Sequence, residues 1–408
     1  MNNTFEDIGL NSQLLTAINR LGYEEPTEIQ SKIIPHIMEG KDVIGESSTG
    51  SGKTLAFGCG VINKVEEGKG LQALILAPTR ELVDQVRKEI IKLALNRKLF
   101  ITSIYGGVGM SPQIEELKRT NIVIATPGRL LDHHRRGNIN LRNLKVLVLD
   151  EADRMLDMGF IDDIEKVIKA CPKERQTMLF SATINPKIKL LSKRYLTSPI
   201  DIKAAKYVDP SKLTQIYYDV HKNSRISLLL HLLEEKEGLA MVFCNTRKMV
   251  DFVTKNLREN KISAVSIHGG MTQTKRTKII DQFNKGKNEV LVCTDVAARG
   301  LHIQDVSHIF NYEIPKDSTD YVHRIGRTAR AGESGKVVNL LCEYDHDNFG
   351  RVKTDYRNFN IEKIETPKFK KIYAVGTESF GKPSFGRGPR RNSGRNNGKV
   401  HYNNRGRR

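Results

Sequence analysis

Short apolar runs recur along the chain, and each is followed by a stretch with helical periodicity. In the first half the runs lie within KDVIG (41–45), LQALILAPT (71–79), FITSIYGG (100–107), NIVIATP (121–127), KVLVLDEAD (145–153) and TMLFSAT (177–183). Between them, residues 81–95 and 161–171 place apolar residues three or four positions apart, as amphipathic helices do. This alternation predicts an α/β fold in which helices cover a parallel sheet.

The second half repeats the pattern, so two tandem α/β domains are expected. Its runs lie within LAMVFCNT (239–246), SAVSIHGG (263–270), NEVLVCTD (288–295), VSHIFNYEIP (306–315) and GKVVNLL (335–341). A polar segment near Pro210 is the best linker. After about Thr366 the composition changes, and residues 381–408 are mostly Gly, Asn and Arg with few apolar residues, a composition that buries no core. The predicted units are a first domain at 1–205, a linker at 206–214, a second domain at 215–365 and a disordered basic tail at 366–408.

Charge and cysteine usage narrow the class of protein. The 408 residues include 66 Lys and Arg against 47 Asp and Glu, a net charge of +19, which favours a nucleic acid as partner, with an anionic membrane second. The five cysteines form no C-x-x-C pair, so we expect reduced, buried thiols rather than zinc or disulfides. The start lacks a signal-peptide pattern, and no apolar run approaches the roughly 20 residues that cross a bilayer. A soluble, cytoplasmic protein without membrane contact is expected.

A glycine-containing loop follows the first predicted strand. In ESSTGSGKT (46–54), Gly50 and Gly52 allow the backbone N–H groups to face a phosphate. Lys53 can reach the β- and γ-phosphates, and the Thr54 hydroxyl suits Mg²⁺. The general pattern has Gly where this chain has Ser47. The residues expected to bind the nucleotide here are Ser48, Thr49, Gly50, Ser51, Gly52, Lys53 and Thr54.

Three carboxylates, Asp150, Glu151 and Asp153, follow the apolar run VLVL at 146–149. Side chains at the carboxyl end of a parallel strand lie where open α/β sheets bind ligands. Asp150 is therefore expected to hold hydrated Mg²⁺ through water, together with Thr54. Glu151 is expected to orient or deprotonate the attacking water.

Three motifs together resemble one family. DEAD at 150–153, SAT at 181–183 and HRIGRTAR at 323–330 resemble the DEAD-box RNA helicases over about Phe5 to Leu341. The resemblance implies two RecA-like domains and an ATPase that RNA stimulates and that separates short RNA duplexes, with ATP and Mg²⁺ as cofactors. The basic tail resembles the extensions of the bacterial RhlE-like group and would be an auxiliary RNA-binding segment.

The same resemblance implies roles around the nucleotide. GYEEPTEIQ (22–30) resembles the Q motif, in which Gln30 would read the adenine edge and the upstream Phe5 would pack on the base. Lys53, Asp150 and Glu151 would be catalytic, together with the arginine fingers Arg327 and Arg330, which reach the γ-phosphate when the domains close. The residues implied to couple hydrolysis to RNA handling, or to tie the domains together, are Ser181, Thr183, His323 and Arg324.

The implied RNA contacts would be largely to the backbone, so the RNA would be recognised with little sequence dependence. They are Arg80, Gly106, Gly107, Pro127, Gly128, Arg129, Thr246, Arg247, Gln273, Arg276 and Thr294. Two positions depart from the family pattern. His302 stands where an Asp associated with the ATP ribose is usual, and Ala329 stands where Gly is common.

Two alternatives are weighed against the RNA helicase. A DNA helicase is the first, and the Q motif and Asp153, in place of the His of DEAH-type relatives, argue against it. A non-enzymatic RNA clamp is the second, and the intact set Lys53, Asp150, Glu151, Arg327 and Arg330 argues against it. The sequence indicates no particular RNA and no protein partner.

Overall fold

The structure, a computed structural model, describes residues 4–47, 50–95, 97–204, 213–298, 303, 306–328 and 334–376. Three predicted site residues, Ser48, Thr49 and Arg330, lie outside these ranges, as do His302 and Ala329. The tail from residue 377 onward also lies outside them. Among the described residues, no helix combines the length and apolar character that a membrane span needs.

The first sheet has seven parallel strands in the order β3-β4-β2-β5-β6-β1-β7. They are β1 (Val43–Glu46), β2 (Ala73–Leu76), β3 (Ile101–Ile104), β4 (Ile122–Ala125), β5 (Val146–Leu149), β6 (Gln176–Ser181) and β7 (Ile200–Lys203). The helices of this half are α1 (Ser12–Arg20), α2 (Glu28–Met38), α3 (Lys53–Lys64), α4 (Arg80–Leu93), α5 (Met110–Leu117), α6 (Pro127–Arg135), α7 (Ala152–Asp157), α8 (Ile161–Ala170) and α9 (Pro186–Tyr195).

The second sheet repeats this plan in the order β10-β11-β9-β12-β13-β8-β14, again with parallel pairs. Its strands are β8 (Leu213–Asp219), β9 (Leu239–Phe243), β10 (Ala264–Ile267), β11 (Val290–Cys293), β12 (Val306–Asn311), β13 (Gly335–Leu341) and β14 (Ile361–Lys363). Its helices are α10 (Arg225–Glu234), α11 (Arg247–Glu259), α12 (Gln273–Asn284), α13 (Asp295–Ala298), α14 (Ser318–Ile325) and α15 (His346–Asp355).

Burial explains why the apolar runs predicted these strands. β2, β4 and β5 are buried along their whole length, because helices cover both faces of a parallel sheet. Each of the two sheets has one buried apolar cluster on each of its faces. Each of the eleven predicted runs overlaps a strand, and the predicted fold of two tandem RecA-like sheets is confirmed.

Three strands were not predicted: β7, β8 and β14. β7 and β14 are edge strands with charged residues and only partial burial, so they lack an apolar run. β8 interrupts its apolar residues with Thr214 and Gln215 and so lacks a continuous apolar run. It begins at Leu213, which places the last two positions of the predicted linker, Leu213 and Thr214, in a strand. The division into domains and linker otherwise stays a prediction.

The predicted tail requires one correction at its start. The structure describes residues 366–376 and packs them against the second half, where Phe369 and Ile372 join an apolar cluster. The Thr366 hydroxyl donates to the Asp219 carbonyl oxygen at 3.0 Å. In TPKFKKIY (366–373), Phe369 and Ile372 are flanked by lysines and form no apolar run. The sequence prediction therefore assigned this segment to the tail by its composition.

Candidate active site

The loop between β1 and α3 curls as predicted. Gly50 and Gly52 have φ values of 88° and 91°, in the left-handed region that favours glycine. A Cβ atom at Gly52 would lie 2.3 Å from Gln30 Nε2. The second glycine thus allows both the turn and the close approach of Gln30.

Gln30 is a structural support of this loop. It is 3% exposed, and its Nε2 donates to the Gly52 carbonyl oxygen at 3.0 Å. Its Oε1 accepts from the Thr27 backbone N–H at 2.9 Å, while the Thr27 hydroxyl donates to the Ser51 carbonyl oxygen at 2.7 Å. The Q-like segment and the glycine loop therefore form one hydrogen-bonded unit.

Lys53 begins α3 and is 7% exposed. Its Nζ donates to the Ser47 carbonyl oxygen at 2.6 Å, and the Ser47 and Ser51 hydroxyls lie 2.8 Å apart. Burial lowers the pKa of Lys53, while the charges of Asp150 and Glu151 oppose that change. The Lys53 side chain is thus held beside the two acids.

A cleft of about 290 Å³ gathers most of the predicted nucleotide and catalytic residues. Those that line it are Gln30, Gly50, Gly52, Lys53, Thr54, Asp150, Glu151 and Arg327. Arg327 is 3% exposed and comes from the second half of the chain. The cleft is thus built from both halves.

The aromatic contact with the base was predicted at Phe5, but the structure places Phe5 in the apolar core at 3% exposure. Tyr23 lines the cleft instead and is 43% exposed. Sequence reasoning missed Tyr23 although it lies in the quoted GYEEPTEIQ. The difference is a tertiary effect, because Phe5 is buried in the same apolar cluster as Ile18 of α1 and Ile29 of α2.

The two leading acids differ in their surroundings. Asp150 is 3% exposed, and burial, followed by repulsion from Glu151, raises its pKa to about 7. For Glu151 burial also favours the neutral form, but the charges of Arg154, Lys53 and Arg327 together outweigh it and lower the pKa. Glu151 therefore stays ionised. A cation bound beside Asp150 would stabilise the ionised Asp150 carboxylate, which burial and the charge of Glu151 disfavour.

Glu151 is held in a strained backbone conformation, with φ at 50° and ψ at 51° as the residue preceding α7. Its carboxylate forms an ion pair with Arg154, which is 2% exposed. Non-glycine residues at positive φ are enriched at functional sites. Sequence reasoning missed Arg154, the residue directly after DEAD, which fixes the Glu151 carboxylate.

Asp153 joins the DEAD segment to the SAT segment. Its Oδ2 accepts from the Thr183 backbone N–H at 2.9 Å and from the Thr183 hydroxyl at 3.0 Å. The Ser181 hydroxyl accepts from the Asp153 backbone N–H at 3.3 Å and donates to the Thr183 carbonyl oxygen at 2.7 Å. A movement at the DEAD acids would therefore reach Ser181 and Thr183 directly.

Arg324 was expected to tie the domains together, and its described hydrogen bonds lie within the second half. The guanidinium is 1% exposed and forms two hydrogen bonds with Asp295, at 2.6 and 2.7 Å. Its other described hydrogen bonds reach Asn245, Asn311 and the Glu313 carbonyl oxygen. These partners all belong to the second half, so Arg324 organises that half internally. His323 and Arg324 also line a small gap between the halves, beside Arg154 and Arg327, and their role in joining the domains stays a prediction.

The predicted nucleic-acid residues follow the carboxyl ends of strands in both halves, and two of them share one design. Arg80 packs on Gly107 so closely that a Cβ there would lie 2.1 Å from its Nη1. Arg247 packs on Gly269 in the same way, at 3.0 Å. Sequence reasoning missed Gly269 and Gly270, although HGG at 268–270 repeats YGG at 105–107.

The remaining candidates lie at helix starts or between the halves. Pro127, Gly128 and Arg129 open α6, and the Arg129 Nη2 donates to the Val108 carbonyl oxygen at 3.2 Å. Thr246, Gln273 and Thr294 precede or open α11, α12 and α13. Arg276 forms an ion pair with Glu81 across the two halves at 2.9 Å.

Oxygen ligands for a metal are sparse in the cleft. The described residues contain no cluster of three or more His, Cys, Asp or Glu side chains arranged to hold a metal. The Asp150 carboxylate and the Thr54 hydroxyl nevertheless line the same cleft. This sparse oxygen set suits Mg²⁺, which keeps several waters and takes one or two carboxylates plus substrate phosphates.

Comparison with protein families gives two matches. The description DEAD/DEAH box helicase matches residues 27–191, and Helicase conserved C-terminal domain matches residues 222–332. Among curated proteins, the chain is 43% identical to the ATP-dependent RNA helicase CshA of Listeria monocytogenes over 92% of this chain and 74% of that one. It is 45% identical to the DEAD-box ATP-dependent RNA helicase CshA of Bacillus subtilis, over 83% and 69% respectively.

Solved structures give the same result. The chain resembles Saccharomyces cerevisiae Dbp5 bound to RNA and ADP BeF3, with a TM-score of 0.82, 28% identity, and coverage of 89% of this chain and 96% of that one. It also resembles a DEAD box protein from Methanococcus jannaschii, with a TM-score of 0.55, 40% identity, and coverage of 89% and 99%. These likenesses extend over both sheets.

Proposed function

Because this chain belongs to the DEAD/DEAH box helicase family and is an ATP-dependent RNA helicase, we propose that its catalytic site is assembled from both halves around one ATP. The observation that carries the proposal is the position of Arg327, which lines the same cleft as Lys53 and Glu151. Neither half alone contains all three residues. Hydrolysis would therefore depend on the two domains meeting.

In this proposal the first domain binds the ATP. Gln30 reads the adenine edge from its place against Gly52, and Tyr23 stacks on the base with its exposed ring. The loop residues Gly50–Thr54 surround the phosphates with backbone N–H groups at the start of α3, and Ser48 and Thr49 are assigned to the same loop by their place in the sequence. Lys53 exchanges its Ser47 contact for the β- and γ-phosphates.

We assign Mg²⁺ to the oxygen ligands at the strand ends. Thr54 would bind it directly and Asp150 through water, and the bound ion would neutralise charge that develops on the phosphates. Asp150, with its raised pKa, is stabilised in its ionised form by such a cation.

The chemical step falls to residues on both sides of the cleft. The ionised Glu151, fixed by Arg154, accepts a proton from the attacking water. Arg327, and Arg330 by its place in the sequence, stabilise negative charge on the γ-phosphate in the transition state. Ser181 and Thr183 then transmit the change at Asp153 toward the RNA surface, and His323 completes the contact between domains.

The RNA would lie across the carboxyl ends of both sheets. Arg80, Arg129 and Arg247 offer guanidinium groups, and the paired glycines beside two of them expose backbone N–H groups to phosphate oxygens. Such contacts recognise the RNA backbone with little dependence on sequence. The tail would add affinity through charge, and the five free, buried cysteines fit a reducing cytoplasm.

Two other functions are distinguished by experiment. A DNA helicase would use DNA and RNA equally, and an RNA clamp would bind RNA without hydrolysing ATP. Steady-state ATP hydrolysis is therefore measured alone, with single-stranded RNA and with single-stranded DNA of the same sequence.

The variant Glu151→Gln tests the assigned base in the same assay. We expect strong stimulation by RNA alone and a loss in kcat of about 10²–10⁴-fold in the variant, the usual size of general-base catalysis. RNA binding should be retained. Equal stimulation by DNA would favour the first alternative, and absence of hydrolysis in the parent protein would favour the second.

A further inference from the structure

An extended segment at 364–376, here called the strap, lies across the second domain. It is held at its start by the Ile364 backbone N–H, which donates to the Tyr217 carbonyl oxygen at 3.0 Å, and near its end by two further anchors. The Ile372 backbone N–H donates to the buried Ser227 hydroxyl at 3.1 Å. The Val375 N–H donates to Asn256 Oδ1 at 2.7 Å, and Asn256 Nδ2 donates back to the Val375 carbonyl oxygen at 3.3 Å. Asn256 is fully buried, so the strap backbone is fixed by groups of the domain core.

Tyr373 lies between these two anchors and has a relative exposure of 101%. Its neighbours Phe369 and Ile372 face the core, while Lys370 and Lys371 are exposed. An aromatic ring that is fully exposed on a fixed backbone gains nothing from packing. Such a ring is suited to contact a ligand at a low cost in conformational entropy.

A groove of about 420 Å³ runs beside Tyr373. The strap forms one wall, and the other wall comes from the short 3₁₀ turn Lys222–Ser224 and from Phe252 of α11. Lys222 and Lys371 supply the charged side chains among its described lining residues, and no carboxylate is among them. The groove therefore combines positive charge with an aromatic edge.

Lys222 links the groove to a second exposed ring. Its Nζ lies 5.3 Å from the centroid of Tyr344 and donates to the Tyr344 hydroxyl at 3.2 Å. Tyr344 is 54% exposed. The Glu343 carboxylate lies 3.8 Å from the Lys222 Nζ and accepts from the Lys222 backbone N–H at 3.3 Å. Two tyrosines and two lysines thus form one continuous surface, here called the strap surface.

The position of the strap surface relates it to the RNA path. Lys222 and Tyr344 follow the carboxyl ends of β8 and β13, on the edge of the sheet where Thr246 follows β9. In the strand order, β8 is separated from β9 by three strand spacings, a lateral distance of roughly 14 Å. An RNA strand that extends beyond Thr246 along this edge would meet Lys222.

We propose that the strap surface, formed by Lys222, Tyr344, Lys371 and Tyr373, is a second binding site for single-stranded RNA. Bases stack on Tyr373, and the two lysines contact phosphates of the strand that leaves the cleft, a combination typical of sequence-tolerant single-strand binding. The proposal rests on the RNA-dependent function above. It adds a site on the folded second domain, distinct from the family motifs and from the tail.

The test compares RNA lengths in the full-length protein. Fluorescently labelled oligouridylate of 10 and of 30 nucleotides is titrated in the presence of a non-hydrolysable ATP analogue. Tyr373→Ala is expected to weaken binding of the longer RNA about fivefold or more, since stacking contributes roughly 1–3 kcal/mol per base. Tyr373→Phe, which keeps the ring, should restore the parent affinity.

Matched controls isolate the strap surface. Phe100→Ala removes a ring that is 47% exposed on the first domain, and Lys287→Ala removes an exposed lysine from the opposite edge of the second sheet. Neither should change binding of the longer RNA. Lys222→Ala and Lys371→Ala should each reduce its salt dependence.

The proposal is contradicted if Tyr373→Ala leaves binding of the longer RNA unchanged, or if it weakens both lengths equally. ATP hydrolysis at saturating short RNA should stay at the parent rate in every strap variant. If the parent protein itself shows no RNA-stimulated ATP hydrolysis, the proposed function is rejected instead. The failure of the strap surface and the failure of the proposed function can therefore be told apart.

Discussion

At the scale of single residues, the backbone of the glycine loop and the burial around it determine what each side chain of the cleft can do. A loop that points N–H groups at a phosphate requires positive φ, which Gly50 and Gly52 adopt, and this requirement made both glycines predictable. Tyr23 and Arg154 were not, because their roles depend on which side chains the surrounding helices bury. Phe5 satisfies the family spacing, yet the core encloses it.

A test at this scale concerns the coupling of hydrolysis to strand separation. Thr183→Ala removes the hydroxyl that donates to Asp153 and keeps the backbone contact. Because a hydrogen bond to a carboxylate contributes about 1.5–3 kcal/mol, we expect RNA strand separation to slow roughly tenfold or more. RNA-stimulated ATP hydrolysis should stay within roughly threefold of the parent rate.

The comparison requires both activities to be measured on one preparation. Thr354→Ala is the control, since this hydroxyl donates to the Gly350 carbonyl oxygen within exposed α15, and it should affect neither activity. A parallel fall of hydrolysis and strand separation in Thr183→Ala would show that Thr183 supports catalysis rather than coupling.

At the scale of elements, the prediction succeeded for buried strands and failed at the sheet edges. An edge strand such as β14 carries charged residues and lacks the apolar run of a central strand. The strap shows the same limit, because only three of its apolar residues, Ile364, Phe369 and Ile372, pack against the core and their spacing gives no periodicity. The strap depends instead on contacts with Ser227 and Asn256, which are distant in sequence.

The packing of α3 gives a prediction for an element. A Cβ atom at Gly60 would lie 2.2 Å from Ile37 Cγ2 and 2.8 Å from Met178 Cε. Gly60→Ala should therefore destabilise the first domain by about 1–3 kcal/mol, the usual cost of overpacking. Thermal unfolding should show a midpoint lowered by roughly 2–10 °C for that domain.

Gly350 of α15 provides the opposite case. It is exposed, and a Cβ atom there would meet nothing within 4 Å. Gly350→Ala should be neutral or stabilising by about 0.4–1 kcal/mol, through lower entropy of the unfolded chain. Equal unfolding temperatures for Gly60→Ala and Gly350→Ala would contradict the claim that α3 packs tightly against α2 and β6 at Gly60.

At the scale of the whole molecule, charge and repetition predicted more than any single motif. The two halves repeat one plan, and the net charge of +19 indicated a polyanionic partner before any site was identified. The contact between the halves was expected only from the family resemblance. It depends on pairs of residues far apart in the sequence, such as the Glu81–Arg276 ion pair. No local pattern in the sequence encodes that pairing.

The tail gives a prediction at this scale. Residues 377–408 contain nine Lys and Arg and one Glu, and their deletion should weaken RNA binding and flatten its dependence on salt. ATP hydrolysis at saturating RNA should not change. The deletion begins at residue 377 because Val375 is held by Asn256.

A second version of the tail keeps its length and replaces each Lys and Arg by Gln. It should behave like the deletion if charge is what binds the RNA. A salt dependence that stays at the parent value in both versions would mean that the tail contributes nothing to RNA binding.

The central claim is that one ATP is hydrolysed by residues of both domains, and Arg327→Ala tests it most directly. With saturating RNA, kcat should fall about 10²–10³-fold, as for loss of a donor that stabilises the transition state, while KM for ATP stays near the parent value. Arg351→Ala, an exposed arginine of the same domain, should leave both unchanged. A parent-like kcat in Arg327→Ala would contradict the composite site and confine hydrolysis to the first domain.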